Sequence, residues 1–288
     1  MLLGRRSWAG AIQLGLALLL VGASGACSQA SDDAVLGRTW PAAQRVSIDR
    51  VDHSAYTALL GRYVDQSGMV DYATWKATAA DIRALDAYLE TLSRANPDAS
   101  ASREGQLAFW INAYNAVTLR GILREYPTSS IRNHTAKVVG YNIWDDLLLH
   151  VGDGRYSLNQ IEHDVLRKMG DWRIHFAINC ASIGCPRLLA EAYVPQKLEQ
   201  QLVANTQQFF SDPRKFRHDP AGRLYITQII KWFAEDFGAT PAERLRTIAP
   251  YLPTEAARQL AASGSAQFSY LDYDWGLNDR SAQRAARR

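Results

Sequence analysis

His175, Asn179, Cys180 and Cys185 fall within eleven residues, the densest grouping of reactive side chains in the chain. A thiolate nucleophile needs a base to generate it and a group to orient that base. Cys180 or Cys185 would be the nucleophile, His175 or His163 the base, and Glu162 or an asparagine the orienting group. The same residue types support two other chemistries. Cys180 and Cys185 can close their own loop as a disulfide, the usual state of paired cysteines outside the cytosol. They could also join His163 and His175 around zinc, but four residues between the cysteines, with no second cysteine pair, argue against a metal, and no cofactor is expected.

The elements that would position these groups follow from periodicity. Trp172, Ile174, Phe176 and Ile178 alternate with Arg173, His175, Ala177 and Asn179, which predicts a strand running into the cysteine turn. An extended run would hold His175 about 17 Å from Cys180, so the turn must fold back or His163 must approach from the preceding segment. That segment opens with Ser157-Leu158-Asn159-Gln160, a capping box, and is predicted helical to Lys168, with Glu162 and His163 beside its buried face. A helix from about Ser102 to Glu125, stopped before Pro127, is apolar on nearly every side and therefore central. Asn112 and Asn115 share one side of it. They either tie loop backbone to the helix or, with Asn179, bind a substrate.

Around this centre the pattern predicts helices over 53–63, 75–94, 195–210, 228–237, 241–251 and 254–263. Short strands are expected over 69–72, 223–226 and 268–275, with β character across 138–151 and a hairpin signal at Gly152-Asp153-Gly154. Asp236 is expected to serve the end of its helix. Many helices with scattered strands predict an α+β fold. We expect a single, mostly helical domain with a central buried helix and a small, largely antiparallel sheet.

The 288 residues are 47% hydrophobic and 21% charged, enough for an ordinary core. Residues 1–26 resemble a secretion signal, with Arg5 and Arg6, an apolar run from Leu14 to Val21 and small residues to Ala26. Ser24-Gly25-Ala26-Cys27 resembles a lipobox that would acylate Cys27; plain cleavage near Ala26 or Ala30 is the alternative. The expected location is the periplasm or cell envelope, with an outer-membrane lipid anchor if Cys27 is acylated and no other membrane contact. Residues 27–52 read as a linker, 53–278 as the domain and 279–288 as a basic tail. The formal charge of +3 resides in the leader and that tail, so no basic face for nucleic acid is expected.

Several segments resemble family 547 of the domains of unknown function. They are Phe109-Trp110-Ile111-Asn112-Ala113-Tyr114-Asn115-Ala116, Ile161-Glu162-His163, His175-Phe176-Ala177-Ile178-Asn179-Cys180 through Cys185-Pro186, Lys231 to Phe237 and Tyr273 to Asn278. The resemblance runs from about His53 to Asn278. It implies export or lipid anchoring, as for bacterial members, and brings no established activity. Two functions therefore stand: a thiol-dependent hydrolase or transamidase acting on an unknown substrate, and a non-catalytic binding or scaffold module with a structural Cys180–Cys185 bridge.

Overall fold

The computed structural model describes residues 34–136 and 141–281. The leader, Cys27 and residues 282–288 of the tail lie outside the described residues.

Helix α4, Arg103–Glu125, forms the axis of the molecule. The Ser102 hydroxyl accepts from the Gly105 N–H at 3.0 Å, satisfying a donor that the first turn leaves free. Every residue from Leu107 to Leu119 is buried, as a helix apolar on all sides requires. Helices α1 (Ser54–Tyr63) and α3 (Ala79–Ser93) build one flank. The helix expected over 75–94 is two: α2, Tyr72–Ala77, is capped by Asp71, and Thr78 separates it from α3. Ahead of them, the predicted strand at 69–72 amounts to Val70 alone, bridged to Val64 and Asp279.

The chain is α+β as expected, but among the described residues the strands make three small sheets of mixed pairing. β1 (Val35–Leu36) runs parallel to β4 (Leu148–Val151), which pairs antiparallel with β5 (Gly154–Ser157). β2 (Val46–Ser47) and β3 (Ala95–Asn96) are parallel. β6 (Phe216–His218), β7 (Leu224–Ile226) and β8 (Phe268–Tyr270) form the third sheet, with β7 and β8 parallel. Long helical connections between partners carry the chain back to the same end, which is why parallel pairs arise. The stretch expected to be a linker is folded from residue 34 onward: Ile48 and Val51 enter the core and Trp40 donates to Ser93.

The largest correction falls at the reactive segment. Trp172–Phe176 is a 3-10 helix, not a strand. Asp171 caps it by accepting from the Arg173 N–H, and the Ile174 and Ala177 amides bond three residues back. At three residues per turn, Trp172, Ile174 and Phe176 point in three directions. Ile174 packs into the core around α4, and Phe176 packs with Phe209 and Phe210 of α5 (Leu198–Ser211) in a second core. The alternation reflects apolar side chains shared between two cores, with Ile174, His175 and Phe176 buried and Trp172 and Arg173 half-buried.

Three more elements differ in kind. The capping box at Ser157 and Gln160 is present, but Gln160–Leu166 is a π-helical turn followed by a 3-10 turn. The helix expected over 228–237 breaks at Phe233 into α6 (Ile229–Trp232) and α7 (Ala234–Phe237). The last strand ends at Tyr270. Helices α8 (Pro241–Ile248), which has a complete Thr240–Glu243 capping box, and α9 (Glu255–Ser263) close the second core.

Candidate functional site

Amide side chains fix the path of the cysteine loop. From α4, the Asn115 Nδ2 donates to the Ala177 carbonyl at 3.1 Å, and its Oδ1 accepts from the Asn179 N–H at 2.8 Å. Asn179 in turn donates to the Pro186 carbonyl and accepts from the Ala181 N–H. Ala181 has φ +58°, a left-handed conformation unusual for a residue with a Cβ. The loop brings Cys180 and Cys185 to disulfide distance, with Cα atoms 6.4 Å apart. Cys185 is 3% exposed, while Cys180 is partly open. Around the Cys185 Sγ stand the Cys180 N–H at 3.0 Å, the Tyr273 hydroxyl at 3.1 Å and the Ser182 hydroxyl at 3.2 Å.

The acid–base groups form a second cluster. Imidazole Nε2 of His175 lies 2.6 Å from the Asp236 Oδ2, and the ring stacks on Phe233 at 4.1 Å. Arg167 grips both oxygens of Asp236, at 2.7 and 2.9 Å. Burial alone would push the Asp236 carboxyl up; the bonds from His175 and Arg167 hold it well below the usual range. A carboxylate accepts, so Nε2 carries the proton and Nδ1 offers its lone pair. Burial lowers the His175 pKa against the pull of Asp236, which keeps the ring neutral. Nδ1 faces the Glu162 Oε1 at 4.0 Å, just outside hydrogen-bond reach. Glu162 is 8% exposed, on the π-turn. Burial pushes its pKa up to about 7, opposed by the hydroxyl bond from Tyr114 of α4.

These two clusters meet in one cavity of about 190 Å³. Glu162, His175, Tyr114, Cys180 and Cys185 lie along it, and Asn159 and His163 join them. Trp144, Trp232, Phe233, Tyr273 and Trp275 supply aromatic walls. Trp232 is 46% exposed and stacks on Trp275 at 5.7 Å.

Of the residues singled out by sequence, His175, Glu162, His163, Cys180 and Cys185 are thus brought together. The amides are not: Asn112 exchanges both hydrogen bonds with the Tyr193 backbone, and Asn115 and Asn179 are spent on the loop. Asp236 proves to be the partner of His175 and Arg167 rather than a helix terminator. An acid set among Trp232, Phe233 and Phe237 needs a buried cation or donor, and that was the available signal. Tyr114 and Trp144 gave none beyond an apolar pattern. Among the described residues, no group of three or more His, Cys, Asp or Glu is placed to hold a metal ion, and no helix is long and apolar enough to cross a membrane.

Residues 99–210 match the family model described as "Protein of unknown function, DUF547". The chain thus carries a DUF547 domain over α4, the hairpin, the π-turn, the cysteine loop and most of α5. Asp236, Trp232 and Tyr273 lie beyond the matched residues, so the cavity is completed from outside them. No curated protein and no solved structure matches the chain.

Proposed function

We propose that the cavity is the active site of an exported, cell-envelope hydrolase or acyl transferase in which Glu162 moves the proton. The observation that carries this is the line Arg167–Asp236–His175, ending with the free Nδ1 of His175 facing the buried Glu162 carboxyl. A carboxyl near pH 7 is matched to general acid–base work at neutral pH. The Tyr114 hydroxyl holds Glu162, and His175 Nδ1, 4.0 Å away, can share its proton once the two side chains close to hydrogen-bond reach, while the aromatic walls seat an apolar or flat part of the substrate. The thiol-dependent version expected from sequence would need the Cys180–Cys185 pair reduced, and both His175 nitrogens are aimed at carboxyl groups rather than at sulfur. Glu162, not a thiolate, is therefore the better candidate for proton transfer. Neither nucleic acid nor a cofactor enters this scheme.

Turnover of a panel of acyl esters and amides by the mature chain is the test. Glu162→Gln should lower kcat by about 10²- to 10⁴-fold, with Asp236→Asn and His175→Ala also impaired. A Cys180→Ser, Cys185→Ser double variant should retain turnover. Loss of turnover in that variant, with Glu162→Gln unaffected, would restore the thiol mechanism and end this one.

A non-catalytic binding or scaffold module is the second reading. The exposed Trp232 and the aromatic rim favour it, since they form a ligand platform whatever Glu162 does. It predicts ligand quenching of tryptophan fluorescence with no turnover by the wild-type chain.

A further inference from the structure

The two sulfurs of the bridge differ in their surroundings in a way that neither proton transfer nor loop bracing requires. Both cysteines line the cavity, but Cys180 is partly exposed while Cys185 is buried. Donors gather on the buried sulfur. The Cys180 N–H and the Ser182 and Tyr273 hydroxyls all lie within 3.2 Å of Cys185 Sγ, whereas the same two hydroxyls stand 3.6 Å from Cys180 Sγ. The hydroxyls also touch each other at 3.0 Å. Each has one proton, so Cys185 receives two hydrogen bonds if one hydroxyl donates to the other and three if neither does. The Lys215 ammonium donates to the Cys185 backbone carbonyl. A disulfide sulfur accepts hydrogen bonds weakly; a thiolate accepts them strongly. The cluster therefore suits the reduced form of Cys185 better than the oxidised one.

We propose that Cys180–Cys185 is a thiol–disulfide exchange site for a small thiol admitted by the cavity. The incoming thiolate attacks Cys180 Sγ, a sulfur–sulfur bond forms there, the Cys180–Cys185 bond breaks, and its electron pair leaves on Cys185 Sγ. The donors around Cys185 hold that thiolate until it is protonated. A second thiolate attacks the outer sulfur of the mixed disulfide, releasing the small thiol as its disulfide and Cys180 as a thiolate. Two small thiols are oxidised and one bridge is reduced. The leaving sulfur is the one whose anion is better stabilised, which speeds the first step. This stands apart from the proposed hydrolysis, because it is read from sulfur content and not from substrate turnover.

Two measurements on the mature chain test it. Cystamine is offered to the single variants Cys185→Ser and Cys180→Ser, and mixed disulfide is followed by intact mass. Cys185→Ser should be labelled at least tenfold faster, because its remaining sulfur is the open one. Separately, the wild-type bridge is equilibrated with oxidised and reduced dithiothreitol and compared with Tyr273→Phe and Ser182→Ala, native fold being checked by near-ultraviolet circular dichroism. Each variant should favour the disulfide by about fivefold to tenfold, the effect of one lost hydrogen bond. Equal or reversed labelling of the two cysteines would overturn the proposal. So would a bridge that stays oxidised in millimolar dithiothreitol while the protein is folded, or an equilibrium unmoved in both hydroxyl variants. If a variant unfolds, the labelling comparison and the wild-type equilibrium still decide.

Discussion

Glu162 keeps its proton into the neutral range because burial outweighs the Tyr114 hydroxyl bond and the Arg167 charge, which both favour the carboxylate. An unfolded glutamate titrates near 4.5, so between about pH 4.5 and 7 the folded chain binds the extra proton. Stability contributed by this group is thus fully present below the unfolded value and is lost as pH rises towards 7. Chemical denaturation of the wild type and Glu162→Gln at pH 4.5 and pH 8 should show the wild type losing about 3 kcal/mol relative to the variant. Equal pH dependence in the two would mean that the carboxyl is hydrated and ordinary. At this scale the sequence was informative about residue types: a glutamate beside a histidine on a capped turn, and a histidine ahead of two cysteines, could be picked out by their chemistry. Their partners could not. Asp236 reaches His175 across sixty-one positions of chain, and no local pattern encodes a contact made by folding.

Helix α4 and its asparagines show what an element contributes beyond burial. Asn115 bonds the backbone on both sides of Ile178, so the cysteine loop is tied to the helix by one side chain. Asn115→Ala would leave the Ala177 carbonyl and the Asn179 N–H without partners in a buried place. Urea unfolding should report a loss of about 2–4 kcal/mol; a loss below about 0.5 kcal/mol would show that water or a shifted loop replaces the amide. The extent of α4, the capping box at Ser157 and the β4–β5 hairpin were all legible, because caps, prolines and glycines act within a few residues. The 3-10 segment was not. Two-residue alternation looks the same in a half-buried strand and in a tight turn wedged between two cores, and only the second core distinguishes them. The π-turn was equally hidden, since the extra residue per turn leaves no compositional trace.

The whole molecule is two cores sharing the 3-10 segment, with the cavity beside their junction. Phe176, Phe209 and Phe210 lie within the DUF547 match, yet they pack against Phe216, Ile230 and Phe237, which follow it. A chain ending at residue 210 would expose these rings and lose Asp236 together with Trp232, Phe233, Tyr273 and Trp275, leaving only Trp144 of the aromatic walls. It should keep helical circular dichroism but bind hydrophobic dyes and melt without a cooperative transition. A sharp melt with no dye binding would show that the matched residues are a self-sufficient unit. Organisation on this scale was legible only as a class, α+β with a central helix. Sheet pairing depends on where long connections return the chain, and that is decided by packing.

The parallel seam between Val35–Leu36 and β4 sets how far an N-terminal anchor would let the body stand from a lipid surface. Zipped to the hairpin, residue 35 is a fixed point on the body. Were Cys27 acylated, the eight residue-to-residue steps from it to residue 35 could stretch no more than about 29 Å. The folded body would ride within one leash-length of the lipid surface, and only solutes able to enter that shallow gap would meet its membrane-facing side.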